Sequence, residues 1–234
     1  VAALVPGAET PVLDGAENYI KTLDHGGYFE VTALSGEDLK KTELYHANAE
    51  RRRAQAAFAD YGAYLDSLAM TATIRRFEPL YMQRIAQLTN KSNQFNLTTL
   101  RCSEDDIRAM ADDENCLCLY GKLVDKFGDN GVVTVVSGEQ EGQTLHLRLW
   151  LMSCRVLKRG MEDAMMDAVV ADAAARGVKT IRGYYYPTAK NGMVKDFYAS
   201  MGFANIAADA EGNTVWALDT ASYQPRRPHM RIER

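Results

Sequence analysis

The chain has 234 residues, of which 47% are hydrophobic and 25% charged, and its mean hydropathy is −0.29. That is the balance of a globular protein rather than a disordered or fibrous one. Lys and Arg (27) against Asp and Glu (31) leave a net charge of −4, which speaks against the bulk electrostatic attraction that nucleic-acid binding uses. No apolar run approaches the roughly 18 residues of a membrane-spanning helix.

Residues 1–33 are rich in turn signals (Pro6-Gly7, Pro11, Asp14-Gly15, Gly26-Gly27) and read as a connector. Residues 34–92 read as a helical linker region. It opens on the capping-box pattern Ser35-Gly-Glu-Asp38, with Leu34 and Leu39 as a hydrophobic staple. Leu39 to about Phe58 lacks helix breakers, and Arg51-Arg52-Arg53 is expected on a solvated stretch. Tyr61, Tyr64, Leu65, Leu68 and Met70 recur at helical spacing between Asp60 and Ile74. Pro79 suits the first turn of a further helix carrying Leu80, Tyr81, Ile85 and Leu88.

From Asn93 the rhythm changes. Phe95–Arg101 reads as a strand, and Ser103-Glu-Asp-Asp106 caps a short helix burying Ile107 and Met110. Strands follow at Cys116–Asp125, Val132–Ser137 and Thr144–Cys154, separated by the turns Phe127–Gly131 and Glu139–Gln143. A helix from about Arg159 to Arg176, closed by Gly177, buries Met161, Ala164, Met165, Ala168 and Val169. Thr180–Tyr186 is a strand, Asn191–Met201 a helix and Val215–Leu218 a last strand. The order β-α-β-β-β-α-β-α-β predicts antiparallel strands followed by a crossover that sets later strands parallel. The fold class expected is α+β (mixed α/β): a twisted mixed sheet flanked by helices and preceded by a mainly helical region. Residues 221–234 form a basic tail, by default a disordered terminus and otherwise a contact for an acidic partner.

Cys102, Cys116, Cys118 and Cys154 include no Cys-x-x-Cys pair and the four His are scattered, so no metal site is expected. With no signal peptide, the expected compartment is the cytoplasm, with reduced thiols. The chain begins at Val1 rather than Met and is expected to be a piece of something longer.

Two motifs in this order resemble the GNAT acetyltransferase family over about residues 93–220. The first is Arg155-Val-Leu-Lys158-Arg159-Gly160, between a strand and a helix, set against the family's Arg/Gln-x-x-Gly-x-Gly/Ala. The pattern turns successive amides and a helix N-terminus toward the pyrophosphate of coenzyme A. This chain departs at the first glycine, where Lys158 either adds charge toward a phosphate or blocks close approach with its Cβ. The second is Asp196-Phe197-Tyr198-Ala-Ser-Met-Gly202-Phe203, against Phe-Tyr-x-x-x-Gly-Phe. There the tyrosine stands beside the thioester sulfur and protonates a departing thiolate.

A narrower resemblance covers nearly the whole chain. The run from Arg84 to Thr99, which contains Thr-Asn-Lys-Ser-Asn-Gln-Phe-Asn, is joined by Asp125-Lys-Phe-Gly-Asp-Asn-Gly131 and Trp150-Leu-Met-Ser-Cys-Arg-Val-Leu157. Earlier pieces are Val5-Pro-Gly, Pro11-Val-Leu13, Phe29-Glu30 and Leu34–Asp38. Together they resemble the carboxy-terminal part of FkbH-like proteins, the HAD-superfamily group IIIC. The resemblance implies an N-terminal HAD domain of the same longer protein, ahead of the 1–33 connector. It also implies an acyl carrier protein as partner and a phosphoglycerate-derived glyceryl unit loaded on its phosphopantetheine thiol. The HAD Asp-x-Asp motif is absent here. The acids Asp105-Asp106 and Asp112-Asp113-Glu114 read instead as a solvated face.

Coenzyme A and a carrier protein present the same pantetheine arm, and a GNAT-like groove between two splayed strands is implied to hold either. In the first reading the chain is an acyltransferase-type domain. The amides of Ser153, Arg155, Val156, Leu157, Lys158, Arg159 and Gly160 hold phosphate, and Tyr198 is the acid for the leaving thiolate. Cys154 is either a thiolate nucleophile, helped by Arg155 and a helix N-terminus, or a small buried strand residue. His146 is a base toward an acceptor or a partnered strand histidine. Asn191 caps a helix or touches pantetheine. Asn90, Asn93 and Asn96 line a polar pocket or satisfy backbone groups. Tyr184-Tyr-Tyr186 reads as a packed strand end, and Cys116 and Cys118 as core. In a second reading the domain only docks the carrier protein; in a third it is an acetyl-CoA-dependent N-acetyltransferase.

Overall fold

The computed structural model describes residues 11–13, 15–27, 41–226 and 228–234, the side chains of 41 and 42 excepted. The chain divides into two units, Val1–Thr42 and Glu43–Arg234. In the first, a 3-10 turn Ala16–Asn18 leads into α1 (Tyr19–His25), so the expected connector carries a short helix. The capping box at Ser35–Asp38, with Leu34 and Leu39, lies outside the described residues.

Around the second unit runs an eight-stranded sheet in the order β6-β7-β5-β4-β3-β2-β1-β8. Its strands are β1 (Thr71–Arg76), β2 (Cys116–Asp125), β3 (Gly128–Glu141), β4 (Thr144–Met152), β5 (Thr180–Tyr185), β6 (Ala204–Ala208), β7 (Thr214–Asp219) and β8 (Arg231–Glu233). Neighbours are antiparallel except β4 with β5 and β1 with β8. The helices are α2 (Lys41–Ala56), α3 (Tyr61–Ser67), α4 (Met82–Lys91), α5 (Glu104–Asp112), α6 (Met161–Ala175) and α7 (Phe197–Ser200). One core lies between the sheet and α6, and holds Leu145, Leu147, Trp150, Met165, Val169, Phe197 and Tyr198. A second lies on the other face under α4 and α5, with Ile85, Leu88, Ile107, Leu149 and Leu151. The mixed α+β class is as expected. Among the described residues no helix is long and apolar enough to cross a membrane.

Many local expectations hold. Cys116–Asp125 is a strand to the residue. Ser103 caps α5 with both arms of its capping box, and Ile107 is buried. The stripe Met161, Ala164, Met165, Ala168, Val169 is buried on α6, which Gly177 follows at φ +75°. Both Cys118 and Cys116 pack in or against the second core.

Other expectations fail for identifiable reasons. The helical pattern expected through Ile74 stops at Ser67, because Ala69 turns left-handed at φ +49° and the β-branched Thr71-Ala-Thr-Ile74 enters the sheet as β1 with alternating burial. Phe95–Arg101 is not a strand: it is a bent stretch with one bridge, Asn96 to Leu151, and turns left-handed at Thr99, whose φ is +56°. The turn expected through Gly131 is tighter, so β3 starts at Gly128. Asn191–Met201 is two short pieces, Gly192–Val194 and α7. The strand β6 was not foreseen.

The described residues of the tail, 221–226 and 228–234, pack on the rest of the second unit rather than hanging loose. The amide of Arg231 donates to the Met70 carbonyl at 2.9 Å, and β8 extends the sheet beyond β1. Tyr223 donates to Asp167 at 2.6 Å, and Arg234 pairs with Asp172. Nor is the triple arginine uniformly solvated. Arg51 is buried, reaching Asp125 through Nε at 2.7 Å and Nη2 at 2.8 Å, while Arg52 and Arg53 are exposed.

Candidate functional site

β4 and β5 pair only where Thr144–Leu147 meets Thr180–Gly183. Past that point the strands part, and the inner edge of β4 presents amides and carbonyls that must find partners. The resemblance implied an open groove here. Residues 95–98 fill it instead. Leu97 donates to the Trp150 carbonyl and Met152 to the Phe95 carbonyl, both at 3.0 Å, and on the other side Tyr186 donates to the Leu97 carbonyl at 2.9 Å. Thr98 Oγ1 donates to the Arg148 carbonyl at 2.7 Å. Asn191, fully buried, clamps the arrangement: its Nδ2 donates to the carbonyls of Asn96 at 3.0 Å and Tyr186 at 2.9 Å, and its Oδ1 accepts the Thr188 amide at 2.7 Å.

Beside this filled edge a cleft of about 660 Å³ opens between the β4–α6 loop and the α7 region. Phe95, Phe197 and Val194 give it an apolar floor, while its wall carries the bases Lys158 and Arg226 and the acids Glu162, Asp163 and Asp196, with Asp163 paired to Arg226 at 3.5 Å. The loop bends through two left-handed residues, Lys158 at φ +63° and Gly160 at φ +81°. Lys158 therefore holds the backbone shape that glycine would take, at the cost of strain. Tyr61 supports it by donating to the Lys158 carbonyl at 2.8 Å. A side chain on Gly160 would meet Pro228 at 3.1 Å, so the tail packs directly over the turn.

The expected site residues do not all converge on the cleft. Leu157, Lys158 and Gly160 line it; Ser153, Cys154, Arg155, Val156 and Arg159 do not. The Ser153 amide is used in the sheet, donating to the Val133 carbonyl at 2.7 Å, and its Oγ accepts from Arg155 Nε at 3.2 Å. Val156 is core and Cys154 is exposed. Arg159 turns inward, to Asp125 at 3.2 Å and the Arg155 carbonyl at 2.8 Å. Burial lowers its guanidinium pKa, with Arg51 adding to the effect and Asp125 opposing it.

Tyr198 lies beneath the cleft rather than in it. Gly183 makes room, since a Cβ there would stand 2.3 Å from the ring. The hydroxyl is buried without a hydrogen-bond partner of normal geometry. Burial drives its pKa far above the ordinary value, the Tyr184 amide opposing slightly, so it stays protonated. His146 alternates with Leu145 and Leu147 and faces the other side of the sheet. Its Nδ1 is 2.6 Å from Tyr184 Oη, and burial lowers its pKa, so the imidazole is neutral at pH 7. Asn90 and Asn96 bond backbone groups of Ala86, Cys102, Ser92 and Thr99, and Asn93 accepts from Arg101.

Sequence reasoning passed over Glu162. Its Oε1 accepts the Lys158 amide at 2.9 Å, inside the turn expected to hold phosphate. Burial raises its pKa, opposed by the amides of Glu162 itself, Lys158 and Gly160. An acid in the first turn of a helix is the signal that was available. Among the described residues no group of three His, Cys, Asp or Glu side chains is placed to hold a metal ion.

Strand order, the single parallel pair at the point of splay and the β4–α6 loop define a GNAT-like α+β fold. Solved structures agree. A protein assigned to the GNAT family of acetyltransferases, from Desulfovibrio desulfuricans, superposes with a TM-score of 0.51 at 14% identity, covering 64% of this chain and 99% of that one. Spermidine N-acetyltransferase from Vibrio cholerae, in complex with CoA and spermine, gives 0.50 at 11% identity over 65% and 97%. A domain from Methanocaldococcus jannaschii gives 0.50 at 11% identity over 64% and 99%. No protein-family profile and no curated protein matches the chain by sequence.

Proposed function

We propose that residues 43–234 form an acyltransferase-type domain that receives a phosphopantetheine arm, of CoA or of an acyl carrier protein, in the cleft between the β4–α6 loop and α7. The observation carrying this reading is that cleft: a loop held in a glycine-like turn at Lys158 and Gly160, with charged walls and an apolar floor. The apolar floor suits the thiol end of such an arm, and the cations Lys158 and Arg226 suit its anionic end. In this reading Lys158, Gly160 and Arg226 meet the anionic end, Arg226 exchanging its contacts with Asp163 and the Ser200 carbonyl for it. Tyr198, kept protonated by burial, is the proton source for a leaving thiolate once it is reached. The resemblance to FkbH-like proteins supports the finer reading, in which the acyl group is glyceryl and the arm belongs to a carrier protein working with a HAD domain.

A second reading, that the domain docks the arm without chemistry, draws on the filled β4 edge and on Glu162 inside the turn. One titration separates the readings. Calorimetry of the chain against CoA, acetyl-CoA and a holo carrier protein, followed by intact-mass detection of acyl transfer, is expected to show binding with transfer. Binding of the carrier alone without transfer replaces the first reading with the second. Binding of none of the three removes both.

A further inference from the structure

We propose that Phe95–Thr98 is a displaceable segment, a latch that closes the inner edge of β4 and withdraws when an extended, amide-bearing arm enters. This rests on the pantetheine reading for its ligand but not for its mechanics.

Three independent features support it. The latch holds β4 by few bonds: two backbone bonds to Trp150 and Met152 and one hydroxyl bond from Thr98. A ligand with spaced amides offers β4 the same donor and acceptor pattern; withdrawal also breaks the bonds on the other side, from the Tyr186 amide to the Leu97 carbonyl and from Asn191 Nδ2 to the Asn96 carbonyl. The latch also ends in strain. Thr99 is β-branched yet left-handed at φ +56°, a conformation that only surrounding contacts sustain; here Asn96 Oδ1 supplies one by accepting its amide at 2.9 Å. Lastly, the latch caps buried polar groups that lack partners. Phe95 packs edge-on to Phe197, which packs in turn on Trp150 and Tyr198, and behind them Trp150 Nε1 and Tyr198 Oη are unbonded. Withdrawal of Phe95 uncovers this aromatic stack.

Phe95 is at once part of the cleft floor and part of the latch. Withdrawal therefore deepens the cleft toward Tyr198, which the closed state keeps out of reach.

Residue-resolved amide exchange on the whole chain tests this. In the free protein the amides of Leu97 and Tyr186 are expected to exchange much faster than those of Leu147 and Ile181, in the paired part of β4 and β5; exchange only at the global unfolding rate overturns the latch. Thr98→Val removes one bond while keeping shape, and is expected to speed Leu97 exchange about five-fold without touching Ile181. No change overturns the proposal. With saturating CoA or pantetheine, Leu97 is expected to lose protection while Met152 keeps it, since the ligand takes its place. Binding with Leu97 still protected overturns the latch and leaves the pantetheine reading standing. If neither probe binds, that reading falls, and the first two measurements still decide the latch.

Discussion

The amide of Lys158 donates to the carboxylate of Glu162 at 2.9 Å, which places a negative charge where the left-handed turn would otherwise face an anion. Two consequences follow from the sign of that charge. Burial is the main reason the Glu162 pKa lies above its ordinary 4.5, so the folded state binds this proton more tightly than the unfolded one. The stabilisation is present below 4.5 and is lost as pH rises through the folded pKa.

Glu162→Gln keeps an acceptor for Lys158 and removes the charge. The variant is expected to melt higher than the parent at pH 7, the two curves converging as pH falls below about 4.5. Its affinity for CoA is expected to rise at least about five-fold, the roughly 1 kcal/mol that a like charge at about 4 Å costs even in bulk water. Thermal melts across pH with a calorimetric titration check both; a lower melting point at pH 7 or unchanged affinity rejects this role.

Asp125 is fully enclosed between Arg51 and Arg159. Arg51→Ala leaves that arrangement with a guanidinium missing, and breaking a buried pair costs about 3–5 kcal/mol. Arg53, paired with Glu50 in solvent, gives the contrast: Arg53→Ala is expected to shift stability by no more than about 0.5 kcal/mol. Urea unfolding of the two single variants decides it. Equal effects from the two positions reject the buried clamp.

This contrast shows where sequence stops being readable. Strands β2 to β5 and helix α6 were legible because their burial pattern is periodic and local. Arg51 was not: its partner lies 74 residues away, and a run of three arginines looks solvated whatever one member reaches. β1 was hidden because Tyr61–Leu68 fits a helical period and its extension to Met70 and Ile74 fits almost as well. β8 was hidden by composition, since Arg231-Ile-Glu233 acquires strand geometry only from β1 beside it. At the candidate site, Lys158 and Tyr198 stood out by motif. The left-handed Lys158 and Thr99 did not, because a rule that reserves positive φ for glycine cannot flag them. Phe95–Asn96 stood within a distinctive run, yet only the parting of β4 and β5 gives that run a task.

The thiols are expected to separate by environment. Burial, with Asp106 nearby, pushes Cys102 up to about 11, and burial with Cys118 and Asp113 pushes Cys116 up to about 12. Cys118 is buried as well and raised for the same leading reason. Cys154 alone is exposed. Near pH 8, iodoacetamide is therefore expected to modify Cys154 first, and Cys154→Ala to remove the fast phase. The same intact-mass measurement, after incubation with an acyl thioester, tests the nucleophile: an adduct present in the parent and absent in Cys154→Ala supports it, and no adduct ends that role.

Tyr198→Phe is an unusually clean substitution here. The hydroxyl is buried and donates to no acceptor, so deleting it relieves a desolvation cost and gives up only the contact of the Tyr184 amide; stability is expected to stay within about 1 kcal/mol of the parent. Gly183→Ala is the opposite case, because its Cβ meets the Tyr198 ring at 2.3 Å and overpacking of this kind costs about 1–3 kcal/mol. A Tyr198→Phe variant that melts no lower than the parent makes any loss of acyl transfer chemical rather than structural. If Tyr198 protonates the leaving thiolate, transfer falls by about 10²–10⁴-fold, the range of a lost general acid, while arm binding is unchanged. Transfer at the parental rate removes the acid role, and the proton then has to come from another group or from water admitted as the latch opens.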